Sequence, residues 1–314
     1  MKIYLAAFLA AFAASFVLTA LLTPLLKRLK AGQYILGYVK EHKDKGGTPT
    51  MGGFAFITSV IVLAPAFYGV GNRTVNLTLV IVGGFMFVGF LDDFLKIYRK
   101  DNQGLKPYQK IIFQTAIAAI ASVYCYMNGL TVLEIPFGGG LVWDIGAWVI
   151  PLTLFVFLAT VNCVNLTDGL DGLAGGTGMT FLAVLGLLAA VRGQFCDIFS
   201  FLGAGALAAF LVFNTNKAAL FMGDTGSLAL GGLIACLCVF SGNTLYVPII
   251  GITFVLSGIS VIAQVIYYKR TGKRIFLMAP IHHHFQMKGH SECKISYVYA
   301  LVTALTGFVC LLFV

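Results

Sequence analysis

Two adjacent carboxylates, Asp92 and Asp93, sit in the stretch GFLDDFLKIYRK, at the end of a mostly apolar run from Val75 to Gly89, with Lys96, Arg99 and Lys100 following. An acidic pair beside lipid is expensive and therefore marks a site. On a helix, Asp92 and Asp93 both neighbour Lys96, so an ion pair explains the spacing as well as a metal and phosphate site does. Four further polar clusters accompany the pair. The first is HKDKGGTPTMGG, His42 to Gly53, in which glycines let backbone N–H groups approach an anion and lysines add charge. The second is NCVNLTDGLDGLAGG, where Asn162, Asn165, Asp168 and Asp171 recur every three residues with no cation nearby, which invites an external cation or a nucleotide. The third is FNTNKAALFMGDTGS, where Asp224 lies in a glycine-flanked turn. Asp224, Thr225 or Ser227 there could cap the following helix, or Asp224 could ligate Mg²⁺. The fourth is APIHHHF, whose His282, His283 and His284 share no helix face and read as a loop presenting imidazoles to an anion. Gln264 is a lone polar residue in an apolar span, suited to a helix–helix hydrogen bond or a substrate contact.

Hard oxygen ligands with few thiolates favour Mg²⁺, with Mn²⁺ as the substitute. With Lys and His beside them, the chemistry is that of a phosphate or diphosphate. No GxxxxGK[ST] motif is present, which excludes a P-loop. The seven cysteines show no paired spacing, so neither a disulfide framework nor a zinc site is expected.

The scaffold must be a membrane protein. The chain is 59% hydrophobic and 11% charged, with a mean hydropathy of +0.92. A span needs about 20 apolar residues. Ten spans are predicted, near Ile3–Leu26, Met51–Phe67, Val75–Leu91, Ile111–Met127, Ile145–Val161, Leu173–Val191, Ile198–Phe213, Ser227–Phe240, Leu245–Tyr268 and Ile295–Val314. Small residues in the eighth predict a helix packed against protein rather than lipid. All but Lys2, Arg73 and Arg192 of the 21 basic residues fall after odd-numbered spans, which places those loops in the cytoplasm and both termini outside. All five histidines and most of the acids sort to that same face. The outer loops look poor in chemistry, apart from a short periplasmic β-hairpin with a glycine turn at Ile135 to Trp143. The expected fold is an all-α polytopic membrane protein of about ten transmembrane helices. It forms one domain over residues 1–314, with the active site on the cytoplasmic face.

Taken in order, HKDKGGTPTMGG, GFLDDFLK, NCVNLTDGLDGLAGG, NTNKAALFMGDTGS and APIHHHF resemble the motifs of the polyprenyl-phosphate N-acetylhexosamine-1-phosphate transferases, over essentially the whole chain. GTPTMGG and PIHHHF point to the branch that transfers phospho-N-acetylmuramoyl-pentapeptide rather than to those that transfer N-acetylglucosamine phosphate. One departure is Gln286, where the family pattern has an acid. The resemblance implies Mg²⁺-dependent transfer from UDP-N-acetylmuramoyl-pentapeptide to undecaprenyl phosphate, giving lipid I and UMP in peptidoglycan synthesis. It implies Asp92, Asp93, Asp224 and His283 as catalytic residues and Asp224 and Asp168 as metal ligands. It implies substrate contacts from Lys45, Thr50, Lys96, Lys110, Asn162, Asn165, Asp168, Asp171, Asn214, Phe221, Gly223, Ser227, Gln264, His282 and His284. It also implies a homodimer in the bacterial inner membrane, with no nucleic acid polymer as partner. Mechanism stays open between a single displacement, with Asp92 as base or orienting group, and a covalent aspartyl intermediate. A transporter is the rival from another class, but its polar groups would lie near the bilayer midplane.

Overall fold

The computed structural model describes residues 1–29, 32, 47–101, 103–215 and 217–313. Ten helices carry the apolar runs: α1 Lys2–Arg28, α2 Gly53–Tyr68, α3 Arg73–Arg99, α4 Pro107–Met127, α5 Val149–Thr167, α6 Leu173–Arg192, α7 Cys196–Asn214, α8 Gly223–Phe240, α10 Ile252–Thr271 and α12 Glu292–Leu311. Nine of these are long and apolar enough to cross a membrane, and α2, at 16 residues, is a shorter apolar helix. The protein is an all-α multi-pass membrane protein, as composition dictates. Two short helices, α9 Val247–Ile250 and α11 Ile281–Met287, complete the set.

The helix ends differ from expectation where chemistry begins. The predicted third span stops at Leu91, but α3 continues to Arg99, so Asp92, Asp93 and Lys96 ride on a rigid helix. Likewise α5 runs on to Thr167 and carries Asn162 and Asn165, so these are not loop residues. The row of acids and amides leaves the helix at Asp168, which follows its last turn. The predicted ninth span is broken: Val247–Ile250, with Pro248 in its first turn, and Ile252–Thr271 are separate helices either side of Gly251. The eighth helix begins at Gly223, so Asp224 sits in a first helical turn rather than in a preceding turn.

Helix α8 is the axle of the fold. In its apolar window 89% of residues are buried, against 22% in α1. Lipid tails are as apolar as leucine, so association here relies on close van der Waals packing and small residues. Gly226 of α8 meets Gly53 of α2, and Gly231 lies against Val161 of α5, where a Cβ would come within 2.6 Å of the Val161 Cα. Gly89 of α3 lies on the Asp224 carbonyl, where an added Cβ would collide with backbone. Larger side chains close the gaps further along, with Phe85 stacked on Phe157 at 6.0 Å.

At the opposite end of the bundle, β1 Val132–Glu134 pairs antiparallel with β2 Val142–Asp144. This end is richer in polar contacts than its sequence suggests. Arg192 pairs with Glu134 and donates to Asn243 (3.3 Å) and Tyr246 (2.9 Å), and Gln194 donates to Glu134 (2.7 Å). Those partners lie far apart in the chain, and the network ties the hairpin to α6 and to the end of α8.

The packing contrast between two glycines of α3 is testable. Gly83 has nothing within 4 Å of an added Cβ, whereas Gly89 abuts Asp224 backbone. Gly89→Ala is expected to cost about 1–3 kcal/mol by overpacking. Gly83→Ala should be neutral or gain up to about 1 kcal/mol from helix propensity. Thermal denaturation in detergent separates the two, and equal effects would show that α3 does not rest on α8 there.

Candidate functional site

At the polar face, the ends of α3, α4, α5 and α8 are tied to one another. The carboxylates form the centre: Asp92, Asp93 and Asp224 each offer an oxygen, all within 4.8 Å of one another. Their surroundings differ sharply, and so does what each can do.

Asp93 is spent on structure. Its Oδ1 accepts the Asp224 N–H (3.2 Å), and its Oδ2 accepts the Thr225 N–H (2.9 Å) and hydroxyl (2.7 Å). Helix α8 has no side-chain cap of its own. Capping by Asp224, Thr225 or Ser227 is thus replaced by a cap from α3, 132 residues away from Thr225. A negative charge at a helix N-terminus is also favoured by the helix dipole. Gly223, at φ +72°, makes the entry turn, and a Cβ there would strike both Asp93 Oδ2 and Thr50 Oγ1. Thr50 is buried beside it, in a segment stitched to α8: Phe221 N–H donates to Pro49 C=O and Gly52 N–H to Phe221 C=O, both at 2.8 Å. Lys45 lies outside the described residues.

Asp92 is wholly buried. Its Oδ1 accepts the Leu105 N–H (2.7 Å) and faces Lys110 Nζ at 3.1 Å, while Lys96 Nζ is 2.6 Å from Oδ2. Gly104 packs directly on this carboxylate, which leaves no room for a side chain. Asp224 is the outermost of the three, with 16% of its side chain exposed. Its Oδ1 accepts from Asn165 Nδ2 (3.0 Å), and its Oδ2 accepts from Lys96 (3.3 Å) and from Lys110. Asn165 is held in turn by Ser227 Oγ (2.8 Å). Three carboxylates against two ammonium groups leave one net negative charge at this cluster. The donor set is all hard oxygen, with no thiolate or imidazole in it, which fits a divalent cation of the Mg²⁺ class. Asp168, half-buried nearby, stands outside the trio. Burial and the charges of Asp224 and Asp93 push its carboxyl up to about 8.

Several residues expected at the site tie its frame together. Asn162 Nδ2 donates to Gln114 Oε1 (2.7 Å) and so joins α5 to α4. Asn214 accepts the Gly172 N–H (3.1 Å) and donates to Leu220 C=O (2.9 Å). Asp171 Oδ2 accepts the Ala218 N–H (3.0 Å). Gln264 grips the loop before α11, accepting the N–H groups of Ile275 (2.9 Å) and Phe276 (3.0 Å) and donating to Phe276 C=O (3.1 Å).

The histidine run is not a loop. It forms the helix α11, with the His282 and His283 rings 4.4 Å apart and the His284 ring against Phe276. His282 is fully buried against His283 and Tyr299, and burial with its imidazole neighbour holds it down to about 3. His284 Nδ1 accepts the Leu277 N–H (3.1 Å). His283, half-buried, turns its Nε2 toward Gly169, next to Asp168. Two residues that the motifs did not single out as binding groups belong here. Glu292 accepts the Asp171 N–H (2.9 Å), and Gln286 lies between Glu292 and His283. Gln286 stands out in the sequence only as a departure from the family pattern, and Glu292 not at all, so the fold reveals their contacts.

A membrane bundle with carboxylates and lysines gathered at one helix-end face is the architecture of a membrane-embedded phosphosugar transferase, and the comparisons agree. The glycosyl transferase family 4 model matches residues 75–242. A phospho-N-acetylmuramoyl-pentapeptide-transferase of Clostridium perfringens (strain SM101 / Type A) is 44% identical over 90% of this chain and 88% of its own. A namesake from Clostridium kluyveri is 42% identical over 91% and 92%, and one from Solidesulfovibrio magneticus is 39% identical over 90% and 85%. The chain therefore belongs to glycosyl transferase family 4, among the phospho-N-acetylmuramoyl-pentapeptide-transferases, and is an enzyme of phospho-sugar transfer.

The division of labour among the carboxylates predicts an order of stabilities. Asp93→Ala removes two acceptor oxygens, and with them three hydrogen bonds, from the α8 terminus and should lower stability by about 2 kcal/mol, roughly 5 °C in Tm. Asp224→Asn, which keeps an oxygen facing Asn165, should lower Tm by less. Denaturation of both variants in one detergent checks this, and the reverse order would refute the cap.

Proposed function

We propose that the protein moves phospho-N-acetylmuramoyl-pentapeptide from its UDP conjugate to undecaprenyl phosphate, releasing UMP and forming lipid I on the cytoplasmic face of the inner membrane. The observation that carries this reading is the pair of partly exposed ammonium groups, Lys96 and Lys110, held on Asp224 and Asp92 at the mouth of a membrane bundle. Both substrates are anionic, and their mutual repulsion is the main obstacle to approach. Preorganised cations that need no reorganisation during reaction are the efficient remedy.

In this reading a lipid phosphate oxygen attacks the β-phosphorus, the one bonded to the sugar. The bond from that phosphorus to the oxygen bridging to the α-phosphorus breaks, and its electron pair leaves with UMP. Phosphate monoesters are already largely ionised at neutral pH, with a second pKa of about 6, so a general base adds little. The burial of Asp92, with a backbone amide and two lysines on its oxygens, supports a role in fixing those lysines rather than in taking a proton. Asp224, with Asp92 and Asp93 behind it, would hold a Mg²⁺ ion, which supplies charge to the diphosphate and to the departing UMP. Asp168 and Asn165 flank the metal edge. His283 faces the turn beside them and would contact the sugar nucleotide.

UMP release by purified protein tests the reading. With undecaprenyl phosphate and Mg²⁺, release is expected from UDP-N-acetylmuramoyl-pentapeptide and not from UDP-N-acetylglucosamine, and EDTA should abolish it. Release from the second donor alone would assign the chain to the N-acetylglucosamine branch. Asp224→Asn should lower kcat by roughly 100-fold or more, the scale of losing one preorganised electrostatic group. A loss below tenfold would remove Asp224 from the centre of the mechanism.

A further inference from the structure

The three adjacent imidazoles are chemically alike but are held differently, and the difference points to residues with no assigned role. His282 is buried among aromatic rings, and His284 gives its Nδ1 to a backbone amide. His283 instead belongs to a polar chain that crosses three elements. Glu292, in the first turn of α12, accepts the Asp171 N–H on Oε2 (2.9 Å) and the Gln286 amide on Oε1 (3.3 Å). Gln286, on α11, meets His283 Nδ1 through its own Oε1 at 2.9 Å.

The polarity of that chain is set from one end. An ionised carboxylate only accepts, so Gln286 must turn its NH₂ toward Glu292. Its carbonyl oxygen then faces His283 and also only accepts. His283 Nδ1 must therefore carry the hydrogen, and the Nε2 carries the lone pair. That Nε2 lies beside the Nε2 of buried His282 against Gly169, in the turn between Asp168 and Asp171. The same Glu292 holds that turn through Asp171, so one carboxylate fixes both the tautomer of the ring and the backbone the ring faces. An amide at position 286 relays the negative polarity without setting a second carboxylate beside Glu292.

We propose that Gln286 and Glu292 are positioning residues for His283, fixing it as the Nδ1–H tautomer with Nε2 presented to the sugar-nucleotide side of the site. The assignment to the sugar nucleotide rests on the transferase reading above, whereas the tautomer does not. The test uses the full-length protein in detergent, labelled with ¹⁵N-histidine. The His283 signals are assigned by their loss in His283→Gln, and spectra are taken about two units above the ordinary imidazole pKa of about 6.5. Wild type should show a protonated Nδ1. Gln286→Met, close in volume but without an acceptor, should lose that preference. Its kcat/KM for the nucleotide donor should fall about tenfold, with KM for the lipid phosphate unchanged. Gln286→Glu restores an acceptor and should restore the Nδ1–H signal. A wild-type ring protonated at Nε2, or an Nδ1–H signal that survives Gln286→Met, would overturn the relay. If wild type releases no UMP, the transferase reading fails instead, and the tautomer signal still decides the relay.

Discussion

The structure depends on keeping three carboxylates charged at the end of a membrane-embedded helix bundle. Removing a carboxylate from water costs several kcal/mol unless cations and hydrogen-bond donors replace the lost hydration. Here the donors come from four different elements. The N-terminus of α8 serves Asp93, the Leu105 amide and both lysines serve Asp92, and Asn165 with the same lysines serves Asp224. Each carboxylate therefore fixes the position of a helix end as well as its own charge. The result is graded: Asp93 and Asp92 are enclosed, and Asp224 alone reaches the exposed edge. The burial of Asp92 makes it a firm anchor for Lys96 and Lys110.

That arrangement requires α8 to be in the middle. Its N-terminal amides must meet α3, its first-turn Asp224 must meet α4 and α5, and its length must be enclosed by both. Glycine contacts with α2, α3 and α5 make these approaches physically open. In an apolar solvent such contacts compete with lipid packing alone, so a single methyl group at Gly89 presses on the backbone that aims Asp224. Packing and electrostatics are thus coupled through a few atoms near residues 89 and 223–226.

Much of this was legible in the residues themselves. The apolar runs predicted the spans to within a turn or so at most ends, and small residues identified α8 as protein-facing. The i,i+4 spacing of Asp92 and Lys96 predicted a pair that the structure contains. What the residues could not disclose were partners remote in sequence. The cap on α8 comes from α3, and local composition offered Asp224, Thr225 and Ser227 as equally good caps. Three histidines in a row after a proline looked like a loop, because no apolar periodicity marks so short a helix as α11. The Glu134 and Arg192 network was invisible because its members sit singly in loops that carry little other charge. Gln286 attracted notice only as a departure from a pattern, and its partner Glu292 attracted none.

The same reasoning separates polar groups that hold the frame from those that keep open surface. A side chain whose hydrogen-bonding atoms are occupied by backbone of its own frame has little left to offer a ligand. Asn214 binds Gly172 and Leu220, Gln264 binds Ile275 and Phe276, and Asp171 binds Ala218. These polar residues hold the loops around the carboxylate cluster. Lys96, Lys110, Asp224 and Asp168 differ in kind: each keeps part of its surface open. One net negative charge in the carboxylate cluster, with ammonium groups at its edge, accommodates a divalent cation and two phosphate groups together. A buried cluster of balanced charge would have no electrostatic reason to bind either.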